Sequence, residues 1–183
     1  MQIKTSLLPL VKLRSFWQKR SLFWFLGRGL LIFCSLTPGH ALKYTCTLTT
    51  QSLNFGTIIP IHNMSTTTTT TVSVTCTLER GNNEPVNYII RFSPGKSGNQ
   101  LSRHMTMDQN HLSYNIYSCD GCSQILGDGQ EGTYQFSHSY ILSRQEGETR
   151  TDTFVIHGHV PSQPLAQVGT YQDMLTVTLD YFE

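Results

Sequence analysis

From Met174 onward the chain alternates. Leu175, Val177, Leu179 and Tyr181 fall on one face, and Thr176, Thr178 and Asp180 fall on the other. A period of two is the signature of a half-buried β-strand. The same alternation recurs upstream. Residues 43–49 place Tyr44, Cys46 and Leu48 on one face, and residues 71–78 place Val72, Val74, Cys76 and Leu78 inward. Residues 86–93 do so with Val86, Tyr88, Ile90 and Phe92, with Arg91 outward. Residues 111–119 follow with Leu112, Tyr114 and Ile116, and residues 149–160 run around Phe154 and Ile156. Leu53-Asn-Phe-Gly56 begins a further short run ended by Pro60. Residues 65–71, with six consecutive threonines, suit either a loop or the solvent face of a strand, and residues 133–142 have no clear period. Gly, Pro and Asn clusters separate the runs, and no helical pattern stands out. Seven or so short strands predict an all-β antiparallel sandwich. With nothing after Glu183 to cover it, the last strand is expected either to pair with earlier strands on both sides or to take a neighbour from another chain. The second is the expectation pursued.

Residues 1–41 read differently. They hold six basic residues (Lys4, Lys12, Arg14, Lys19, Arg20, Arg28) and no acidic one. An apolar run, Gly29-Leu-Leu-Ile-Phe-Cys-Ser-Leu36, comes next, then Thr-Pro-Gly-His-Ala. That order predicts a secretory signal peptide cleaved after Ala41. The apolar run falls short of the roughly 20 residues that span a membrane. The expected mature domain, residues 42–183, keeps seven Lys and Arg against all 12 Asp and Glu. It is therefore acidic, by a formal charge of −5, with no basic patch for nucleic acid. Four cysteines remain, which allow three pairings. Cys119 and Cys122 are spaced for a small ring, which leaves Cys46 and Cys76 to close a loop of about 30 residues. Such a loop contributes roughly 3–4 kcal/mol in the chain-entropy model.

Several short motifs carry candidate chemistry, each with a plainer reading. Ser93-Pro-Gly-Lys96 has S-x-x-K spacing, without the S-D-N and K-T-G companions of that chemistry; it reads as a turn. No G-x-S-x-G elbow is present. Cys119-Asp-Gly-Cys122 has redox spacing, yet it follows a strand instead of opening a helix, so a structural disulfide is expected. His157-Gly-His159 places two imidazoles on one strand face, without a third ligand. Gly127-Asp-Gly129 reads as a turn. No catalytic residue, metal or cofactor is expected. The many Tyr, Thr, Asn and Gln residues suit a glycan-binding surface, and suit any secreted sandwich equally well.

Taken together, these motifs resemble the spore coat protein U domain family, the subunits of archaic chaperone–usher pili. The carrying residues are Cys46, Leu53-Asn-Phe-Gly56 and Val72-Ser-Val-Thr-Cys76, then Phe92-Ser-Pro-Gly95, Arg103 with Met105, and Leu112-Ser-Tyr-Asn-Ile-Tyr117. Gly127-Asp-Gly129, His157-Gly-His-Val-Pro161 and Gly169-Thr-Tyr-Gln-Asp173 complete the set. The resemblance covers the expected mature chain. It implies an incomplete immunoglobulin-like sandwich lacking its last strand, a Cys46–Cys76 bridge, and passage through the periplasm to the cell surface. It also implies three classes of partner: a periplasmic chaperone, an outer-membrane usher and neighbouring subunits. The missing strand would come from a partner by strand addition at a sheet edge, and pilins are a standard example of that mode. Leu175, Val177, Leu179 and Tyr181 are the expected groove residues. Covering about five apolar side chains at 1.5–3 kcal/mol each gives roughly 8–15 kcal/mol. That is comparable to the whole stability of a domain, about 5–15 kcal/mol.

One departure from the family pattern bears on function. Polymerising subunits carry a donor segment of ten or more residues before the first cysteine, whereas here Leu42-Lys-Tyr-Thr45 alone precedes Cys46. Four residues reach about 14 Å. Three readings follow: a tip or terminating subunit that accepts a strand without giving one, a cleavage site elsewhere, or a self-completed secreted coat or matrix protein that never polymerises.

Overall fold

Alternation along the chain becomes two packed layers in the computed structural model, which describes residues 3–15, 43–59 and 64–182. Among the described residues eleven strands run in order: β1 (Ile3–Ser15), β2 (Tyr44–Thr50), β3 (Leu53–Ile58), β4 (Thr66–Leu78), β5 (Asn83–Phe92), β6 (His104–Met107), β7 (Asn110–Ser113), β8 (Asn115–Tyr117), β9 (Phe136–Ser143), β10 (Thr149–Val160) and β11 (Gly169–Phe182). The larger sheet has the order β3-β1-β11-β5-β9, with β6 beside the start of β11 and β7 beside β6; the smaller is β2-β4-β10-β8. Among these strands each pairing is antiparallel except β1 with β11, which run parallel. Among the described residues the only helical element is a short 3-10 turn, Gly95–Ser97.

The alternating residues meet between the layers. Val72, Val74, Cys76 and Leu78 of β4 face Val86, Tyr88, Ile90 and Phe92 of β5, all buried. The outward positions of the smaller sheet are hydroxyl-rich. Ser73–Thr153, Thr75–Thr151 and Thr77–Thr149 form hydroxyl rungs at 3.0, 2.9 and 3.2 Å between β4 and β10. Cys46 bonds to Cys76 across the β2–β4 register, and Cys119 bonds to Cys122.

Two undecided stretches resolve as strands. The threonine run belongs to β4, where it pairs with β10 from His157↔Thr69 to Val160↔Thr66. Residues 136–143 pair with β5. One expected strand is two: residues 111–119 break at Tyr114, and the chain changes sheet between β7 and β8. The break has a physical cause. The Tyr114 amide donates to Arg103 O at 3.0 Å, outside the ladder, and its hydroxyl donates to Asp173 Oδ2 at 2.7 Å.

The largest difference lies at β11. Its free side was expected to await another chain, yet in the 183-residue chain β1 occupies it. Ile3–Ser15 alternates well enough in sequence to fit there. The apolar run 29–36 and the expected cleavage position Ala41 lie outside the described residues, as does Pro60.

Candidate functional site

The seat taken by β1 is the groove between β3 and β11. One wall is Leu53, Phe55 and Ile58 of β3. The other is Leu175, Val177, Leu179 and Tyr181 of β11, so the structure places all four sequence-predicted groove residues in one row, buried with β1 in place. Phe92, Val72, Ile116 and Ile156 form the floor. They line, with Leu53, Leu175 and Val177, a small and partly open hollow of about 30 Å³.

Gly158 sets the depth of the β3 wall. A Cβ there would stand 2.6 Å from Leu53 Cδ2 and 2.8 Å from Phe55 Cζ, so both side chains rest on bare β10 backbone. Phe55 also meets the Tyr114 ring edge-on at 6.1 Å. At the far end, Tyr181 lies 6.0 Å from Tyr44, ring to ring.

The β11 wall is fixed from its other side. Residues Val177 to Phe182 pair with β5. Beyond Phe92, Ser93 N donates to Thr176 O at 2.9 Å, and Thr176 N donates back to Ser93 Oγ at 2.8 Å. Asp173 is buried and takes three donors: Lys96 N at 2.9 Å, Met174 N at 2.8 Å and the Tyr114 hydroxyl at 2.7 Å. Gly95 makes the approach possible, with φ +69° and its missing Cβ only 2.2 Å from Asp173 Oδ2. A carboxylate with three donors holds the Ser93–Lys96 turn against the start of β11. Arg103, 1% exposed, finishes the work on that loop. It donates to Ser93 O, Gln100 O, Leu126 O and Asn115 Oδ1 at 2.7–3.2 Å. Burial lowers its pKa to about 10. Sequence reading used Arg103, with Met105, only in the family resemblance; in Leu101-Ser-Arg-His-Met105 no local signal marks the arginine as buried.

The candidate chemical motifs have structural partners. Ser93 and Lys96 belong to the turn just described, with Lys96 Nζ donating to Thr106 Oγ1 at 3.2 Å. Gly127 packs under Gln100 and Thr133. His157 and His159 lie on β10 beside Thr67, Thr69, Tyr117 and the Cys119–Cys122 ring, around a hollow of about 830 Å³. Among the described residues no third His, Cys, Asp or Glu joins them in a metal-binding group.

At the β9 end a polar cluster bridges the sheets. The Tyr88 hydroxyl donates to Asp152 Oδ2 at 2.7 Å, His138 Nδ1 stands 3.3 Å from both, and Arg150 lies 4.2 Å over the Tyr140 ring. Burial, then Asp152, pushes the Tyr88 hydroxyl well above its usual value of 10. Burial, then Asp173, does the same to Tyr114, while Tyr140 is pushed up to about 12, chiefly by burial. An acid whose pKa is raised on folding stabilises the fold fully below its unfolded value, and that contribution is lost as pH rises through the folded value. Burial raises Tyr171 as well; Arg103, a base with a lowered pKa, works the other way above pH 10, one group against four. Stability is therefore expected to fall between pH 10 and 12. A fraction of the tyrosine absorbance should ionise only together with the loss of circular dichroism; full ionisation of every tyrosine before unfolding would contradict this.

Three comparisons bear on these residues. A family model described as Spore Coat Protein U domain matches residues 34–178. No curated protein matches the chain. Among solved structures it is similar to a chain in the crystal structure of the CsuC-CsuE chaperone-tip adhesion subunit pre-assembly complex from archaic chaperone-usher Csu pili of Acinetobacter baumannii. The identity is 18% over 74% of this chain, with a TM-score of 0.48, and the match spans 39% of that chain's length.

Proposed function

Because this chain belongs to the Spore Coat Protein U domain family, we propose that it is a secreted, non-enzymatic subunit of an archaic chaperone–usher pilus, assembled by donor-strand complementation. Residues 1–41 are its signal peptide, removed after Ala41, and residues 42–183 are the working domain. A periplasmic chaperone first supplies the strand between β3 and β11, an outer-membrane usher passes the subunit outward, and a neighbouring subunit then replaces the chaperone. The groove residues in these exchanges are Leu175, Val177, Leu179 and Tyr181. Four residues before Cys46 give no donor strand, which suits a tip or terminating subunit at the fimbrial surface, with a role in attachment to a surface or glycan and in biofilm.

One observation carries this reading. The strand between β3 and β11 comes from upstream of Ala41, so processing there leaves each wall without a neighbour on its groove side and opens an apolar groove with unpaired edges. The test is to produce residues 42–183 in the periplasm with and without a candidate chaperone. Soluble, folded protein is expected only with it, in a stable complex; a well-folded monomer made alone would sink the proposal.

A second reading has an observation of its own. With β1 retained the sandwich is complete within one chain, as a self-completed coat or matrix protein would be. N-terminal sequencing of the exported protein separates the two: Leu42 as first residue supports acceptance, and a chain retaining residues 3–15 supports self-completion.

A further inference from the structure

β1 fits its seat residue by residue. It runs parallel to β11 in thirteen register pairs, from Ile3↔Gly169 to Ser15↔Tyr181. Pro9, Val11 and Leu13 are in register with Leu175, Val177 and Leu179, while Ser6, Lys12 and Arg14 are in register with Gln172, Thr178 and Asp180. From Pro9 onward the apolar residues of β1 thus coincide with the groove residues and its basic residues with polar ones, Leu10↔Thr176 excepted; nearer the start, Leu7↔Asp173 and Thr5↔Tyr171 do not match in this way. A slip of one residue would place Lys12 and Arg14 at apolar positions, and a register that changes the face of every side chain is strongly selected. Charge does not oppose this placement: basic Arg14 is in register with Asp180, a buried carboxylate whose Oδ2 already pairs with Arg91. Pro9 agrees as well. It has no N–H to give, and the β3 ladder ends at Leu7↔Leu53, so Pro9 falls where β1 has a neighbour on one side only.

The connection favours closure within one molecule. Ser15 pairs with Tyr181, whose ring lies 6.0 Å from Tyr44 at the start of β2. The chain leaves β1 and enters β2 at the same end of the sandwich, and the residues between could extend to about 90 Å. A strand tethered so near its seat is present at an effective concentration on the order of millimolar.

We infer that residues 3–15 are a built-in occupant of the acceptor groove. In the uncleaved chain they close their own domain, and their loss with the leader is the event that opens the groove to a strand from another protein. This deepens the reading above and rests on it for what the opened groove receives.

The test uses the full 183-residue chain, translated in a cell-free oxidising mixture without the processing peptidase and carrying Cys34→Ser. One cysteine is placed in each strand at a polar position. Lys4→Cys with Thr170→Cys, and Lys12→Cys with Thr178→Cys, are matched pairs; Lys4→Cys with Thr178→Cys, and Lys12→Cys with Thr170→Cys, are crossed pairs. A short bismaleimide is expected to join both matched pairs within single molecules. The crossed positions stand roughly 26 Å apart along the strands and are expected to give no product. Product in the crossed pairs, product only between molecules, or no product at all overturns the inference. A protease site inserted after Ala41 tests the opening: a labelled synthetic peptide of residues 3–15 should bind the cut chain, washed free of its leader, about tenfold more than the uncut one. Equal binding also overturns it. If the cross-links fail while residues 42–183 still take a strand from a chaperone, this inference falls and the proposed function stands.

Discussion

Replacing Arg103 with methionine is expected to destabilise the domain by about 3–5 kcal/mol, although methionine keeps most of the side-chain volume. The guanidinium is almost wholly buried and no carboxylate pairs with it. Its charge is met instead by Ser93 O, Gln100 O, Leu126 O and the side-chain oxygen of Asn115. Gln100 O and Asn115 Oδ1 each keep another donor after the substitution, from Asn115 Nδ2 and Ile116 N. Ser93 O and Leu126 O lose the donors described here, and a buried carbonyl left without one costs about 1–3 kcal/mol. Arg103→Lys should recover little, because an ammonium on a flexible stem cannot reach acceptors that a planar fork spans. The damage should also extend to the groove, since Ser93 is bonded to Thr176 on β11 and turns into the loop that clasps Asp173. Urea melts of the full chain check this: a shift of the methionine and lysine variants below about 1 kcal/mol would show that the loop does not depend on its arginine.

How much of this was legible beforehand depends on what each residue was asked to reveal. Alternation located Val72, Val74, Cys76 and Leu78, the inward face of β5, and the row from Leu175 to Tyr181, because a strand between two environments must alternate. It could not decide the threonine run, whose residues suit a loop as well as an outward strand face; pairing with β10 decided it. It read residues 111–119 as one strand, because Leu112, Tyr114 and Ile116 are all buried and burial alone does not say in which layer. The tertiary bonds of Tyr114 to Arg103 and Asp173 divide that run. Asp173 itself looked like part of a turn motif, since two of its three donors, Lys96 N and the Tyr114 hydroxyl, come from distant segments and leave no local trace. The strand at residues 3–15 was not visible for a different reason. Lys4, Lys12 and Arg14 with no acidic residue read as the basic start of a leader, and that reading hid the alternation of Ile3, Leu7, Pro9, Val11 and Leu13. The two properties coexist because the basic residues occupy the polar positions of the same period.

Leu179 is where the groove and the core meet, and its replacement should have the largest effect in the molecule. It is fully buried, in register with Ile90 on β5 and with Leu13 on β1. Leu179→Ala removes buried methyl groups from the core and is expected to cost about 2–5 kcal/mol. Leu179→Asp places a carboxylate at this buried position with no donor in prospect, so the domain should not fold even with its groove filled. Thr178→Asp adds the same charge one residue earlier, in register with Arg91 and on the other face, and should shift stability by no more than about 0.5 kcal/mol. The alanine variant carries the functional content. Because part of Leu179's packing is supplied by whatever strand fills the groove, its loss should weaken retention of that strand as well as folding. Thermal melts of the complemented domain and the rate at which a labelled donor peptide leaves it measure the two effects side by side. Faster release with a lowered melting point is expected for Leu179→Ala and for neither in Thr178→Asp. A lowered melting point with unchanged release would place Leu179 in the core alone and remove it from the strand-accepting surface.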